Sequence, residues 1–392
     1  MNSKERMAAA MRLGVPDRVP VMCQLSLGHY FLNAGLPAVD IWHSTDGFAE
    51  ALITLQERYG FDGILVNLPG RDPGWSSHIT KIEERGQDKV IHWENGWTTV
   101  CPDDDNPHVL REDGREFHVR FEEVDPEDLF YVEPHDIYGL KHPSCWDLAQ
   151  EPASPAGSFP PWRFDTVDRV IRATEGKVSV HGEVFSPFSQ FLDLLGYTEG
   201  LTALLLDPGK SRACLSALVR GTVELGCGLI ARGADAVLIS SAFAGAGFIS
   251  PGQYRQFVLP YERAVIAGIK SRSDGPVYTH TCGRIGDRLE LMAETGTDGI
   301  DTMDPPPLGN VDLAEAKTRV GGKLFLKGNI DPVHVILNGD PATVREAARR
   351  CLEAARTGGG YILSTACSVP PHSPVANIAA LLETAEEFGR YR

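Results

Sequence analysis

The chain has 392 residues, of which 42% are hydrophobic and 23% charged, the composition of an ordinary globular protein with a large core. Its 37 basic and 53 acidic residues give a formal net charge of −16, so no basic stripe is available to neutralise phosphates and we expect no nucleic-acid partner. The N-terminal segment lacks the apolar stretch of a signal peptide, and no window approaches 18 apolar residues, which predicts a cytoplasmic protein without a membrane span.

Short β-branched runs alternate with helical stretches along the chain, a pattern typical of βα units around a parallel sheet. Eight such runs cover residues 19–23, 63–67, 177–181, 236–240, 277–279, 299–302, 323–327 and 361–364. The clearest helices are predicted over 211–232, 342–357 and 375–388. Eight parallel strands favour the α/β class and a closed (β/α)8 TIM barrel over an open, doubly wound sheet. We expect residues 1–392 to form a single barrel domain.

The spacing of the runs is uneven between the second and the third. About 110 residues lie there, where one βα unit needs roughly a third of that length. Residues 89–101 and 115–124 are predicted to form antiparallel strands, with turn residues at 103–107 and prolines marking the return to the barrel. We therefore expect a hairpin-bearing insertion between strands 2 and 3, at about residues 75–165, rather than a separate domain. An exposed apolar face on this insertion would fit a homodimer.

In barrel enzymes the active site lies at the C-terminal ends of the strands, and two of those ends are distinctive here. His280 and Cys282 follow the fifth strand, two residues apart, so in an extended segment their side chains leave on the same side. Cys367 follows the eighth strand. One imidazole and two thiolates suit Zn²⁺ with a fourth position left open. The alternative is that both cysteines are small residues of the core.

Three further polar residues at strand ends are candidates for catalysis. Glu183 is predicted to be a fourth metal ligand or a proton-transfer group, or otherwise a carboxylate of the rim. Asp301 could orient a substrate or a metal-binding histidine. Asn329 lies in a turn that would aim it into the barrel mouth, although turn chemistry alone also explains it. Three tryptophans of the insertion could wall a flat aromatic substrate or pack the hairpin on the barrel: Trp93, Trp97 and Trp162.

Four blocks of the sequence, in order, resemble the uroporphyrinogen decarboxylase superfamily. They cover residues 233–266 (GADAVLISS…ERAVI), 280–304 (HTCGRIGDR…TMD), 323–333 (KLFLKGNIDPV) and 358–378 (GGGYILSTACSVPPHSPVANI). The resemblance extends over residues 1–70 and 165–392 and leaves the insertion out. It implies a (β/α)8 barrel and one of two activities: porphyrinogen decarboxylation, or zinc-dependent methyl transfer with cobalamin, coenzyme M or tetrahydrofolate.

The residues argue against the decarboxylase branch. Porphyrinogen decarboxylases carry an Arg-Gln-Ala-Gly-Arg segment after strand one, whereas residues 23–29 read CQLSLGH. Their acidic residue after the second strand corresponds to Asn67 here, and their C-terminal histidine corresponds to Cys367. An octa-anionic substrate also requires a basic cavity, and this chain is strongly acidic. Decarboxylation remains the alternative function.

The methyltransferase branch uses a His-x-Cys after strand five and a Cys after strand eight, which match His280, Cys282 and Cys367. The resemblance therefore implies Zn²⁺ as a cofactor and transfer of a methyl group to or from cobalamin. The other reactant would be either a small-molecule methyl donor, as in O-demethylation, or a methyl acceptor such as a thiol or tetrahydrofolate. No Asp-x-His-x-x-Gly cobalamin motif occurs in the chain, so a separate corrinoid protein would supply the cobalamin. A non-catalytic module that binds a corrinoid protein is the third alternative. The sequence leaves open the donor, the acceptor and the direction of transfer.

Overall fold

A computed structural model of the chain describes residues 1–116, 118–133 and 159–391. In chain order its strands are β1 (Gly63–Val66), β2 (Ile79–Arg85), β3 (Asp88–Trp93), β4 (Thr98–Cys101), β5 (His108–Leu110), β6 (Ser179–Phe185), β7 (Ala236–Ser240), β8 (Val277–Thr281), β9 (Gly299–Thr302), β10 (Phe325–Ile330) and β11 (Tyr361–Thr365). Seven of them form a parallel sheet in the order β1-β6-β7-β8-β9-β10-β11. The predicted α/β TIM-barrel class is confirmed.

The segment 19–25 occupies the place of the first predicted strand. It pairs with the last strand through Val21 and Leu363, and the Asp62 N–H, just before β1, donates to the Val21 carbonyl at 2.8 Å. The segment thus bridges the two edges of the sheet, but through single bridges and not as a regular strand. The prediction of a regular strand at 19–23 is wrong for two reasons. Pro20 has no N–H to donate, and the Val21 N–H donates to the Asp62 carboxylate at 2.8 Å.

The helices surround this sheet. They are α1 (Ser3–Met11), α2 (Leu27–Asn33), α3 (Ala38–His43), α4 (Thr45–Tyr59), α5 (Asp165–Ala173), α6 (Pro187–Leu195), α7 (Tyr197–Leu206), α8 (Pro208–Ala231), α9 (Pro251–Phe257), α10 (Leu259–Lys270), α11 (Leu289–Glu294), α12 (Leu313–Arg319), α13 (Pro341–Ala355) and α14 (Val375–Phe388). Short 3₁₀ turns lie at Trp75–His78, Phe121–Glu123, Pro126–Asp128 and Pro161–Phe164, and a π-helical turn at Pro332–Leu337. The three helices predicted from the sequence are confirmed, with ends shifted by up to three residues.

Within the described residues, α8 is long and apolar enough to cross a membrane by length and composition alone. Half of its most apolar 18-residue window is buried inside the protein. Its neighbours include α6, α10 and β6, so it packs as one of the helices of the barrel.

The insertion between β1 and β6 carries an antiparallel sheet in the order β2-β3-β4-β5. Residues 89–101 are not one strand, because they hold β3, a turn at 94–97 and β4. The strand predicted over 115–124 is also wrong for its described residues. Val119 donates its N–H to the Leu194 carbonyl at the end of α6, and Phe121 packs edge-on against Phe191. Docking on this helix replaces pairing with the hairpin. The prolines at 134, 143, 152 and 155 lie outside the described residues.

The insertion packs its own small apolar cluster against α3. Val39 of α3 joins Ile91, Trp93 and Cys101, and Trp97 packs at the edge. The two tryptophans therefore pack the hairpin on the barrel, which is one of the two alternatives that the sequence left open. The turn at 103–107 reaches the loop after β11, where His372 lies 2.7 Å from the Asp104 carboxylate. That the insertion belongs to the same domain, and that the protein is a homodimer, stay predictions.

Candidate metal centre

Two strand ends bring three side chains of metal-ligating type together at the barrel mouth. His280 lies in β8, Cys282 directly follows that strand, and Cys367 comes two residues after β11. The His280 Nε2 atom lies 3.2 Å from the Cys282 Sγ, which lies 3.6 Å from the Cys367 Sγ. All three potential ligand atoms lie within 4.8 Å of one another. The curvature of the sheet thus unites ligands that are far apart in the sequence.

These distances fit a single metal ion. With Zn–S bonds of about 2.3 Å and Zn–N bonds of about 2.0–2.1 Å, tetrahedral geometry separates two sulfurs by about 3.8 Å and a sulfur from a nitrogen by about 3.6 Å. The observed separations of 3.6 Å and 3.2 Å are slightly shorter. Both cysteines are free thiols, half-buried, and His280 is buried. One nitrogen and two sulfurs are donors that Zn²⁺ accepts, and they leave a fourth position open.

A buried carboxylate lies behind the histidine. Asp301 of β9 accepts from the His280 Nδ1–H with its Oδ2 at 3.2 Å, while its Oδ1 lies 2.8 Å from the Lys327 ammonium. Burial is the largest single effect and opposes ionisation of Asp301, but the contacts with Lys327 and His280 together outweigh it and hold the pKa of Asp301 at about 2. Metal-binding histidines usually donate their second N–H to such a carboxylate. The predicted orienting role of Asp301 therefore matches its contacts.

The two cysteine thiols and the imidazole of His280 differ in how strongly they hold their protons. The hydrogen bond from Cys282 lowers the pKa of Cys367 well below its usual value and raises that of Cys282. Burial disfavours a charged imidazole, but Asp301 and Cys367 outweigh it and raise the pKa of His280 to about 10. The group therefore favours a Cys367 thiolate beside a protonated His280, an arrangement in which a cation can replace the protons.

The turn after β8 fixes Cys282. Its N–H donates to the Ala242 carbonyl at 3.2 Å. The next residue, Gly283, has a φ of 76° and donates its N–H to the Asp304 carboxylate at 2.6 Å. A positive φ is tolerated best by glycine. The Asp304 carboxylate therefore holds the backbone of the residue that follows Cys282.

Glu183 lies within β6 and is half-buried near the same mouth. Its carboxylate is not part of the three-residue ligand group. Burial raises the pKa of Glu183 to about 7, which gives it a proton to exchange near neutral pH. It is one of the residues around a small cavity of about 20 Å³ that also touches Arg163 and Asn67. Of the two predicted roles, the proton-transfer group fits this setting better than the fourth ligand.

The hydrogen bonds of the Asn329 side chain are to residues outside the ligand group. Its Nδ2 donates to the Met303 carbonyl at 3.0 Å, and its Oδ1 lies 3.7 Å from the Cys351 Sγ on α13. These contacts tie β10 to the loop after β9, so the structural alternative accounts for Asn329. A catalytic role for it stays a prediction. Sequence reasoning also missed Lys327, although a lysine inside the apolar run KLFLKG is a signal in itself, since lysine is rarely buried without a partner.

A family model described as uroporphyrinogen decarboxylase (URO-D) matches residues 142–388, which include β6 to β11 and all three ligands. The chain belongs to the uroporphyrinogen decarboxylase family. Similar curated proteins are the uroporphyrinogen decarboxylases of Idiomarina loihiensis, 28% identical over 236 residues, and of Thioalkalivibrio sulfidiphilus, 32% identical over 242 residues. Each match covers 57% of this chain and only 63% and 64% of those proteins, respectively.

Solved structures extend the likeness to the whole chain at the level of the fold. A methyltransferase from Methanosarcina mazei superposes with a TM-score of 0.70 at 18% identity, and the match covers 99% of both chains. A B12-independent methionine synthase from Shewanella sp. W3-18-1 has a TM-score of 0.51 at 13% identity, over 94% of this chain and 97% of that one. This member of the uroporphyrinogen decarboxylase family thus shares its fold with a methyltransferase and a methionine synthase.

Proposed function

We propose that the protein is a zinc-dependent methyltransferase that moves a methyl group between a corrinoid and a small-molecule donor or acceptor. The observation that carries the proposal is the convergence of His280, Cys282 and Cys367 at the barrel mouth, with Asp301 behind the histidine. Zinc sites that do chemistry keep three protein ligands and one open position. The three-residue group has that composition.

Each protein group contributes a separate function to such a centre. Cys282 and Cys367 would bind as thiolates, and their two negative charges reduce the net charge felt by a bound nucleophile, which stays reactive. His280 would bind through Nε2, because its Nδ1 faces Asp301. A Zn²⁺ ion held there supplies a Lewis-acid position at which a thiol or another weak nucleophile loses its proton near neutral pH. Glu183, with a pKa of about 7, can hold or deliver that proton when an oxygen is the reacting group.

Decarboxylation of a porphyrinogen is the second candidate, because the curated relatives carry that name. The local residues do not favour it. Cys23, at the start of the arginine-free segment 23–29, is buried in the core. His29 is also buried and hydrogen-bonded to Tyr59 at 2.8 Å. Arg163 is buried near the mouth, but its charge is already paired with Glu133. These contacts leave little cationic surface for a substrate with eight carboxylates.

The partner follows from the chemistry. The chain has no Asp-x-His-x-x-Gly segment, so a separate corrinoid protein would supply the cobalamin. The other partner, a small-molecule methyl donor or acceptor, would bind at the barrel mouth beside the three candidate ligands. A non-catalytic binding module would be supported by four protein ligands around the metal. Among the residues that the structure describes, the ligand group has three.

Absorbance spectroscopy of the corrinoid tests the proposal. Zinc-loaded protein is mixed with methylcob(III)alamin and a panel of thiols and tetrahydrofolate, and cob(I)alamin formation is followed. The reverse reaction is run with cob(I)alamin and methoxylated phenols or methylamines. We expect methyl transfer with at least one compound, its loss in Cys367→Ala, and its retention in Cys101→Ala. No spectral change with any compound would refute the proposal, and coproporphyrinogen formed from uroporphyrinogen would favour the decarboxylase.

A further inference from the structure

A lysine is buried inside the barrel directly behind the metal-binding histidine. Lys327 lies in β10 with 2% of its surface exposed, and Asp301 lies opposite it in β9 with 1% exposed. Burying an isolated ammonium group costs far more than a folded protein tolerates, so such a charge needs a partner. The Lys327 Nζ finds it at 2.8 Å in the Asp301 Oδ1. The pair is therefore built into the barrel at the height of the ligands.

A series of contacts connects this lysine to the cysteine sulfurs. Lys327 touches one carboxylate oxygen of Asp301, and His280 touches the other through Nδ1 at 3.2 Å. On the far side of the ring, the His280 Nε2 faces the Cys282 sulfur at 3.2 Å. An ammonium group can only donate hydrogen bonds, and an ionised carboxylate can only accept them. Lys327 thus keeps Asp301 an acceptor on both oxygens, and the His280 Nδ1 must carry a hydrogen.

We propose that Lys327 is a positioning residue of the metal centre, which through Asp301 holds the His280 ring with Nδ1–H turned away from the metal and Nε2 turned toward it. The inference rests on the proposed function, because it assumes that the cluster holds a metal. It assigns to Lys327 a role beyond packing. The Asp301 Oδ1 also accepts from the Thr302 backbone N–H at 2.9 Å, so Lys327 supplies the charged one of two contacts that hold the carboxylate toward the imidazole.

The charges support the same role. A divalent ion, two thiolates, a neutral imidazole and the Asp301 carboxylate together carry one net negative charge. The ammonium group of Lys327 cancels it. Because buried charges are stable only when they are compensated, removing the charge of the lysine would leave the loaded site with one uncompensated negative charge. If the ion pair between Lys327 and Asp301 only stabilised the fold, replacing both residues by neutral, well-packed side chains would leave the metal affinity unchanged.

The test compares Lys327→Met, which keeps the length of the side chain and removes its charge, with Lys317→Met. Lys317 is a half-buried lysine on α12 that donates to the Gly359 carbonyl at 2.6 Å, away from the cluster. Zinc affinity is measured by competition with a chromophoric chelator, and folding by circular dichroism. We expect Lys327→Met to bind zinc 10–100-fold more weakly, the usual cost of removing an outer partner of a ligand, and Lys317→Met to match the wild type. Wild-type affinity in folded Lys327→Met overturns the inference.

A second variant covers the case in which Lys327→Met does not fold. Lys327→Gln keeps an N–H donor for Asp301 and removes the charge, and we expect a loss of zinc affinity of roughly 10-fold. An unchanged affinity overturns the inference. The orientation of the His280 ring is measured by NMR in ¹¹³Cd-loaded wild-type protein with ¹⁵N-labelled histidine. We expect coupling between cadmium and the His280 Nε2 atom, and coupling to Nδ1 would refute the role. A wild-type protein that binds no metal overturns the proposed function itself, which separates the two failures.

Discussion

A histidine and a cysteine meet at the barrel mouth and again beneath the insertion, and their surroundings differ. At the mouth, His280 has a carboxylate on one nitrogen and two sulfurs near the other. Beneath the insertion, the His43 Nε2 lies 4.0 Å from the Cys101 Sγ, and the ring stacks on Trp75 with centroids 5.0 Å apart. Burial lowers the pKa of His43 well below its usual value. The first pair has the orienting groups that a metal ligand needs, whereas the second packs as an apolar unit.

The comparison teaches that proximity of ligand atoms is not sufficient for a metal site. The Nδ1 atom of His43 has no hydrogen-bond partner among the described residues, so nothing fixes its tautomer. Cys101 is enclosed by apolar side chains, and burial raises the pKa of its thiol to about 12. Burial is the main cause at Cys101, whereas the raised pKa of Cys282 comes first from its hydrogen bond with Cys367, which a bound metal would replace. The predictions below test whether the two regions are as different in function as they are in contacts.

The largest effect is expected from removing a ligand sulfur. A complete zinc site is worth about 10–16 kcal/mol over four ligands, so Cys367→Ala should weaken zinc binding by about 3 kcal/mol or more, roughly 100-fold. Cys101→Ala is the matched control, with the same atoms removed beneath the insertion and no change in zinc content expected. Metal analysis after dialysis measures both. Equal zinc in the two variants would contradict the comparison.

A substitution in the insertion should have the opposite effects: a loss of stability without a loss of zinc affinity. Trp93 is buried in the cluster on α3 and donates its Nε1–H to the Thr99 hydroxyl at 2.8 Å. Trp93→Ala removes a large buried side chain, and we expect a loss of unfolding free energy of about 3 kcal/mol. Zinc affinity should stay that of the wild type. Denaturant titration and chelator competition measure the two quantities, and a parallel loss of both would mean that the insertion supports the metal centre.

Asp301→Asn should separate ligand orientation from ligand identity. The amide keeps the shape of the side chain but offers Lys327 and His280 only one acceptor oxygen. We expect zinc affinity to fall by about 10–100-fold, with both cysteines in place. Removing the charge also leaves the buried Lys327 unpaired, so the variant should be less stable in the metal-free state. Chelator competition decides this prediction, and an unchanged zinc affinity would refute the orienting role.

The smallest effect concerns the pH dependence contributed by Glu183. Its pKa of about 7 lies above the value for an unfolded glutamate, so the folded chain holds an extra proton between about pH 4.5 and 7. The stability from this proton is present at low pH and is lost as pH rises through 7. Relative to the wild type, Glu183→Gln should therefore gain about 1–2 kcal/mol on going from pH 6 to pH 8.

Urea unfolding at the two pH values measures this gain. The control is Glu57→Gln, at an exposed glutamate of α4, which should show no such difference. A Glu183→Gln variant with the pH dependence of the wild type would show that the group ionises as in water.

The sequence predicted the barrel class and the convergence of the three candidate ligands because both depend on local patterns. Strand runs alternate with helices, and His280, Cys282 and Cys367 lie at strand ends that must share one mouth. The sequence did not predict the contacts that side chains make with distant elements. The alternation in 115–124 is typical of a strand, but Phe121 packs on Phe191 of α6.

Partner choice explains the other differences too. The Asp62 carboxylate takes the Val21 N–H that a regular first strand would use. Lys327 and Asp301 also lie side by side because their strands pair. No spacing rule in the sequence predicts this contact.

X-ray absorption spectroscopy of the zinc in purified protein tests the central claim most directly. We predict one zinc per chain, with two sulfurs at about 2.3 Å and at least one nitrogen at about 2.0–2.1 Å. In Cys367→Ala any zinc that remains should show a single sulfur, and in Cys101→Ala it should show two. A first shell of only nitrogen and oxygen, or two sulfurs retained in Cys367→Ala, would contradict the assignment of the metal centre to His280, Cys282 and Cys367.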